Sequence, residues 1–194
     1  APAGRVAPQL CGEFTDDMSL ALLASETDVL TFDWENVSVE ALRRLPKTTR
    51  ICPPVKALAA AQDRVREKQL FERLRIPTTR WRAVDSGADL ERAVKEVGLP
   101  GVLKTRRLGY DGKGQRVLRE ARDIATAWDA LGSAPLLYEE RVPFDYEVSI
   151  IGARSRRGEV VVYPLNGNVH AEGILRLTRA PYGTAPLQRD AARY

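Results

Sequence analysis

Short apolar runs alternate along the chain with stretches whose apolar residues recur at helical spacing, the pattern of an α/β (α+β) protein. Asp16 and Asp17 stand before residues 18–23 and predict a helix with an acidic first turn. Residues 29–32 read as a buried strand. Ser38 predicts the cap of a short helix over 39–45 that Pro46 stops, and 50–52 read as a strand ended by Pro53 and Pro54. The longest helical pattern covers 56–75, with Leu58, Val65, Leu70, Phe71 and Leu74 at its apolar positions and Pro77 closing it. Its other face carries Arg64, Arg66, Lys68 and Arg73.

A second run of elements follows. Residues 78–84 alternate like a strand, and Ser86 with Asp89 resembles a capping box in which Asp replaces the usual Glu. The helix behind it reaches Val97 and stops at Gly98. Strands are expected over 101–104, 116–118 and 136–139, with a helix over 121–131 that Gly132 ends. Residues 147–153 and 159–163 predict a hairpin turning through 155–158, with 175–178 pairing onto it, and 188–194 look like the opening of a helix.

Composition narrows the class. With 194 residues the chain holds one or two domains, and 44% hydrophobic with 29% charged residues excludes disorder, collagen and coiled coil. No run of roughly 18 apolar residues exists, so no transmembrane helix and no membrane partner are expected. A net charge of +4 suits an anionic ligand and is too small to argue for nucleic acid. Cys11 and Cys52 are far apart and there is one histidine, which leaves no zinc set and reads as two reduced, partly buried thiols in a cytoplasmic protein. The segment 1–5 lacks the apolar core of a secretory signal and an initiator Met, and the last helix has barely begun at Tyr194; both suggest a chain cut from a longer product.

Candidate chemistry concentrates in three segments. The first is Lys104 followed by the glycine-rich stretch Gly109, Tyr110, Asp111, Gly112, Lys113, Gly114 and Gln115, set between two strands. Glycines let backbone N–H groups approach an anion, and the two lysines add charge, so the stretch suits a flap over polyphosphate. It is not a Walker A loop, which leads into a helix. A plain glycine-rich hairpin with surface lysines satisfies the same residues. The second is Glu139, Glu140, Arg141 and Val142, then Pro143 and, further on, Glu147. A connector of this kind can hydrogen-bond a base edge and place a carboxylate near ribose hydroxyls, and it can equally be an exposed acidic loop. The third is His170 in Asn-Gly-Asn-Val-His (166–170), where a lone histidine is more often structural.

Residues 108–115, 139–151 and 163–176 together resemble N5-carboxyaminoimidazole ribonucleotide synthetases, ATP-grasp ligases of purine synthesis. Residues 31–37 and the Asp63-Arg64 and Lys68–Phe71 segments are similar to the same family, in register over nearly the whole chain. The resemblance implies a partial Rossmann-like domain over 1–54, a connecting helix over 55–78, a small β-rich lid over 79–138 with its glycine-rich flap, and the beginning of a large antiparallel sheet over 139–194. It implies ATP contacts at Arg64, Lys104, residues 109–115, residues 139–142, Glu147 and His170, with Lys104 and Lys113 as the catalytic cations.

The implied substrates are ATP, bicarbonate and 5-aminoimidazole ribonucleotide; carboxyphosphate is the intermediate and a homodimer is left open. The implied Mg²⁺ has no ligands in this chain, because the family's metal ligands lie beyond Tyr194. The alternative is a truncated, non-catalytic product that keeps the fold and at most weak ATP binding. Three positions depart from the family pattern. Leu108 stands where a glycine is usual, Asp33 where a Glu is usual, and Gly167 where a Glu is more common.

Overall fold

Residues 2–109 and 113–194 are described by the computed structural model, and they fall into two units. The first unit runs from the N-terminus to Leu74 and takes in Arg106–Leu108. Helix α1 (Asp17–Ser25) is capped by Asp16, whose carboxylate accepts from the Met18 N–H at 3.1 Å. Helix α2 (Val39–Arg44) is capped by Ser38, whose Oγ accepts from the Ala41 N–H at 3.1 Å. Val37, Val39, Leu42, Leu58 and Ala59 form the core, with Phe32, Leu45, Ile51 and Val55 packed against it.

Three expectations change in this unit. Cys11 and Cys52 are both exposed and not partly buried. The strands expected at 29–32 and 50–52 meet in a single parallel bridge, Leu30 to Ile51, through Leu30 N–H to Arg50 O (2.8 Å) and Cys52 N–H to Leu30 O (3.0 Å). Pro53 and Pro54 follow at once, and neither carries an N–H that could lengthen the ladder. The long helix expected over 56–75 is two helices, α3 (Val55–Ala61) and α4 (Arg64–Leu74). Asp63 makes the break. Its Oδ1 accepts from the N–H groups of Val65 (2.9 Å) and Arg66 (3.3 Å), so it opens a new helix instead of continuing the old one.

The second unit holds Arg75–Thr105 and Gly109–Tyr194. Its strands β1 (Trp81–Val84), β2 (Gly101–Thr105), β3 (Gln115–Leu118) and β4 (Leu136–Glu140) form an antiparallel sheet ordered β1-β4-β2-β3. Helices α5 (Gly87–Val97) and α6 (Asp123–Leu131) cover one face, where Val84, Leu90, Ala93, Val94, Val97, Leu103, Leu118, Ala127, Leu131, Leu136 and Tyr138 make the core. Strand alternation then puts Lys104 and Glu139 on the opposite face. The Ser86–Asp89 cap forms with a shift of partner. Ser86 Oγ accepts from the Asp89 N–H (3.1 Å), and the shorter Asp89 carboxylate takes the Asp85 N–H (3.3 Å). Gly98 ends α5 at φ +94°, a backbone angle that favours glycine.

The hairpin expected through 155–158 forms between residues 152–154 and 160–162, and the remainder of its expected first arm goes elsewhere. The stretch 147–153 divides into β5 (Glu147–Ser149) and β6 (Gly152–Arg154), which enter different sheets. β6 pairs with β7 (Val160–Val162), whereas β5 pairs with β8 (Asn166–Ala171), and β8 pairs in turn with β9 (Ile174–Arg179). Beyond Ser149 the backbone groups find other partners: the Leu165 N–H donates to Gln188 Oε1 at 2.6 Å, and Ile151 O accepts from the Tyr163 N–H at 2.8 Å. The strand expected at 175–178 therefore lies on β8 and not on the 159–163 arm. Helix α7 (Ala185–Ala191) begins at a Thr184 cap, ahead of the residues expected to open it.

Candidate active site

Lys104 is the fourth residue of β2, where it pairs with Gln115 on one side and Leu137 on the other. Its ammonium donates to Glu139 Oε1, and Thr79 Oγ1 donates to Glu139 Oε2 at 2.8 Å. The Glu139 side chain is 10% exposed and that of Lys104 24%, so the pair is largely withdrawn from water. Charges taken out of water this far must be matched, and here each finds the other. Tyr138, one residue earlier, turns to the core. Its hydroxyl donates to Gly98 O at 2.8 Å, and burial pushes its pKa up to about 12.

The other connector residues are more open. Glu140 is paired with Arg80 (3.0 Å), which holds its carboxyl below the ordinary carboxylate range, and its N–H donates to Arg80 O at 2.9 Å. The Arg141 N–H donates to Pro100 O at 3.2 Å, and the Val142 side chain faces solvent. Of the glycine-rich stretch, Tyr110, Asp111 and Gly112 lie outside the described residues. Gly109 and Gly114 are half-buried, Lys113 is exposed, and Gly114 O accepts from the Thr105 N–H at 2.8 Å. Leu108 adopts φ +60° and is exposed, so a leucine occupies the left-handed region where the resemblance puts a glycine.

Glu147 and His170 form a second cluster. His170 Nδ1 lies 3.4 Å from Glu147 Oε1. Asn168 donates to the same oxygen at 3.4 Å and to Ser149 Oγ at 3.0 Å, while its own carbonyl accepts from Thr178 at 3.2 Å. Asn168 thus orients the carboxylate. A Cβ at Gly167 would come within 2.5 Å of the Tyr182 ring, which accounts for glycine at this departure. Asp33 is exposed in a loop, and nothing in the structure explains its replacing Glu.

Arg64 is the first residue of α4, and its N–H donates to Arg106 O at 3.0 Å. Asp63, beside it, binds the Arg106 guanidinium through Oδ1 (3.1 Å) and Oδ2 (2.8 Å). Burial works to raise the Asp63 pKa, but the hydrogen bonds and charge of Arg106, with the N–H groups of Arg66 and Val65, outweigh it and hold the carboxyl below its ordinary value. A depressed folded-state pKa stabilises above the unfolded value and is lost as pH falls through the folded one. Acidification below about pH 4 is therefore expected to reduce the stability of the chain more than that of an Asp63→Ser variant, as read from urea midpoints between neutral and acid pH; parallel profiles would contradict this.

Thr79, Asp63, Arg106 and Asn168 carry this geometry without having been assigned roles from the sequence. In the sequence Asp63 stands in the Asp63-Arg64 segment, Arg106 two residues after Lys104 and Asn168 two residues before His170, whereas Thr79 carries no such signal. Among the described residues no group of three or more His, Cys, Asp or Glu side chains gathers that could hold a metal ion. No helix among them is long and apolar enough to cross a membrane.

A helix-covered antiparallel sheet with a glycine-rich strand connection, followed by a second antiparallel sheet, defines the class: the chain belongs to the ATP-grasp family, whose domain model matches residues 69–194. A model described as a ribonucleotide synthetase preATP-grasp domain matches residues 1–62. Within the family the chain is similar to the N5-carboxyaminoimidazole ribonucleotide synthase of Pseudomonas aeruginosa, at 43% identity over 194 residues, covering 100% of this chain and 54% of that protein. It is similar to the crystal structure of the Thermus thermophilus synthetase at 44% identity and a TM-score of 0.90, covering 98% of this chain and 52% of that one. An ADP complex of an N5-carboxyaminoimidazole ribonucleotide synthetase aligns at 34% identity and a TM-score of 0.94, covering 100% and 52%. The chain spans about half the length of these relatives.

Proposed function

We propose that the chain carries the adenine-nucleotide site of an ATP-dependent ligase that carboxylates 5-aminoimidazole ribonucleotide to its N5-carboxy form in purine biosynthesis. The observation that carries the reading is the Lys104–Glu139–Thr79 cluster at the mouth of a glycine-rich strand connection, in a chain 43% identical over its length to such a synthase. In this reading bicarbonate attacks the γ-phosphorus of ATP, ADP leaves, and carboxyphosphate forms. The exocyclic amine of the ribonucleotide then attacks the carboxyl carbon, phosphate leaves, and the amine loses a proton.

The chain's own part is electrostatic and positional. Lys104 and Lys113 offset charge on the phosphoryl oxygens, and the N–H groups of the glycine-rich stretch add donors. Arg64 supplies a third cation. Residues 139–142 meet the base, Glu147 accepts from ribose hydroxyls, and His170 stands against Glu147. The boundaries at 54, 78 and 138, the cytoplasmic location, the Mg²⁺ supplied from outside these residues, and a homodimer belong to the same proposal.

Equilibrium titration of the chain with ATP tests it. Saturable binding is expected, weakened roughly tenfold or more by Lys104→Ala, the scale of one charge-assisted contact to phosphate. Absence of binding, or equal binding by the variant, overturns the nucleotide-site reading.

A further inference from the structure

We propose that Asp63 and Arg106 are positioning residues for Arg64, acting on nucleotide affinity without touching the nucleotide. The inference rests on the nucleotide-site reading of Arg64. Asp63 does two things at once: its Oδ1 caps α4 through the Val65 and Arg66 N–H groups, and both its oxygens take the Arg106 guanidinium. Arg106 answers through its backbone, because its carbonyl accepts the Arg64 N–H. Asp63 and Arg64 are joined by a peptide bond, so these contacts close a ring around the first residue of α4. The ring is sheltered, with the Asp63 and Arg106 side chains 12% and 22% exposed.

The next pair along the chain repeats the arrangement. Arg107 donates to Gln62 Oε1 at 2.6 Å, and the Gln62 amide donates to Glu35 O (2.5 Å) and Val37 O (2.6 Å), tying it to the core segment. This explains why Arg106–Leu108 belong to the first unit although β2 before them and Gly109 after them belong to the second. The backbone at Arg64 is thereby fixed from two sides, by its helix cap and by the carbonyl of Arg106. A bidentate guanidinium–carboxylate pair holds direction as well as distance, which a lysine in its place does not.

The experiment is ATP titration of the whole chain with Asp63→Ser, Arg106→Gln, Arg106→Lys, Arg64→Ala and the Asp63→Ser/Arg64→Ala double variant, with circular dichroism and thermal midpoints alongside. Asp63→Ser keeps an N-cap and removes only the pairing carboxylate; Arg106→Gln leaves the cap intact. Both are expected to raise the Kd for ATP roughly fivefold to tenfold at temperatures where the chain is folded, and Arg106→Lys is expected not to restore it. In the Arg64→Ala background Asp63→Ser should have no further effect on Kd. Wild-type affinity in the folded single variants, with only the thermal midpoint lowered, overturns the inference and leaves the nucleotide site standing, as does an undiminished effect of Asp63→Ser without Arg64. A parent chain that binds no ATP overturns the nucleotide-site reading and this inference with it.

Discussion

Replacing Glu139 with alanine is expected to destabilise the chain by about 3 kcal/mol and to abolish measurable ATP binding. The variant leaves the Lys104 ammonium, 24% exposed, facing a site from which its counter-charge has gone, and it removes the hydrogen bond from Thr79 Oγ1 to Glu139. Removing one member of a buried pair costs more than the pair contributes, because the survivor stays desolvated and uncompensated. The partial exposure of Lys104 puts the effect at the lower end of that range. Replacing both groups by Met is expected to recover much of the stability and none of the binding, which separates the two roles. Urea unfolding followed by circular dichroism, with ATP titration of the folded variants, reads both; a loss under about 1 kcal/mol would mean that Lys104 finds water or another partner without strain.

The elements that were legible in the sequence are those whose signals are local. Ser38, Asp16 and Ser86 each cap the helix they announce, and Gly98 ends α5. These depend on a side chain and the backbone two or three residues away, so no tertiary information is needed. The sheet of β1 to β4 was legible as strands because each is a short run with apolar residues bounded by turn or helix signals, and these residues feed the core under α5 and α6. The segments that misled depend on partners distant in sequence. Residues 147–153 read as one strand, yet its first half pairs with β8 and its second half with β7, because the Leu165 N–H between the two ladders goes to Gln188. Asn166–Ala171 contains Gly and two Asn, poor strand formers, and became the central strand β8 because β5 and β9 lie on either side.

The candidate site divides the same way. Lys104, Glu139, Glu147 and His170 could be named by motif, and the structure brings them together in two pairs. What the motif could not convey is which group neutralises which. Lys104 rests on Glu139, so the carboxylate expected to meet a base also holds the lysine expected to meet phosphate. Asp63 falls inside the helix expected over 56–75 and is a cap and an ion-pair partner at once. Its role needs Arg106, 43 residues further on, which no pattern within a helical window can supply.

Gly101→Ala should cost about 3 kcal/mol and disturb the connector that begins at Glu139. A Cβ at residue 101 would sit 2.1 Å from the Tyr138 hydroxyl oxygen and 2.2 Å from its Cζ, far inside contact distance. Tyr138 is fully buried, with α5, α6 and neighbouring strands around it, so the ring has no free volume to enter. Moving it breaks the bond from its hydroxyl to the half-buried Gly98 carbonyl. Gly101 pairs with Glu140 and Tyr138 with Leu103, so the displacement acts on β4 immediately beside Glu139 and the Lys104 pair. The steric cause has a direct check. Tyr138→Phe removes only the hydroxyl and leaves the Cζ clash, so it should not rescue Gly101→Ala, whereas Tyr138→Leu clears the position and should make the second substitution nearly free of cost. Urea midpoints of the two singles and the two doubles give the coupling energy, and additive losses with Tyr138→Leu would place the cost of Gly101→Ala elsewhere than in the ring.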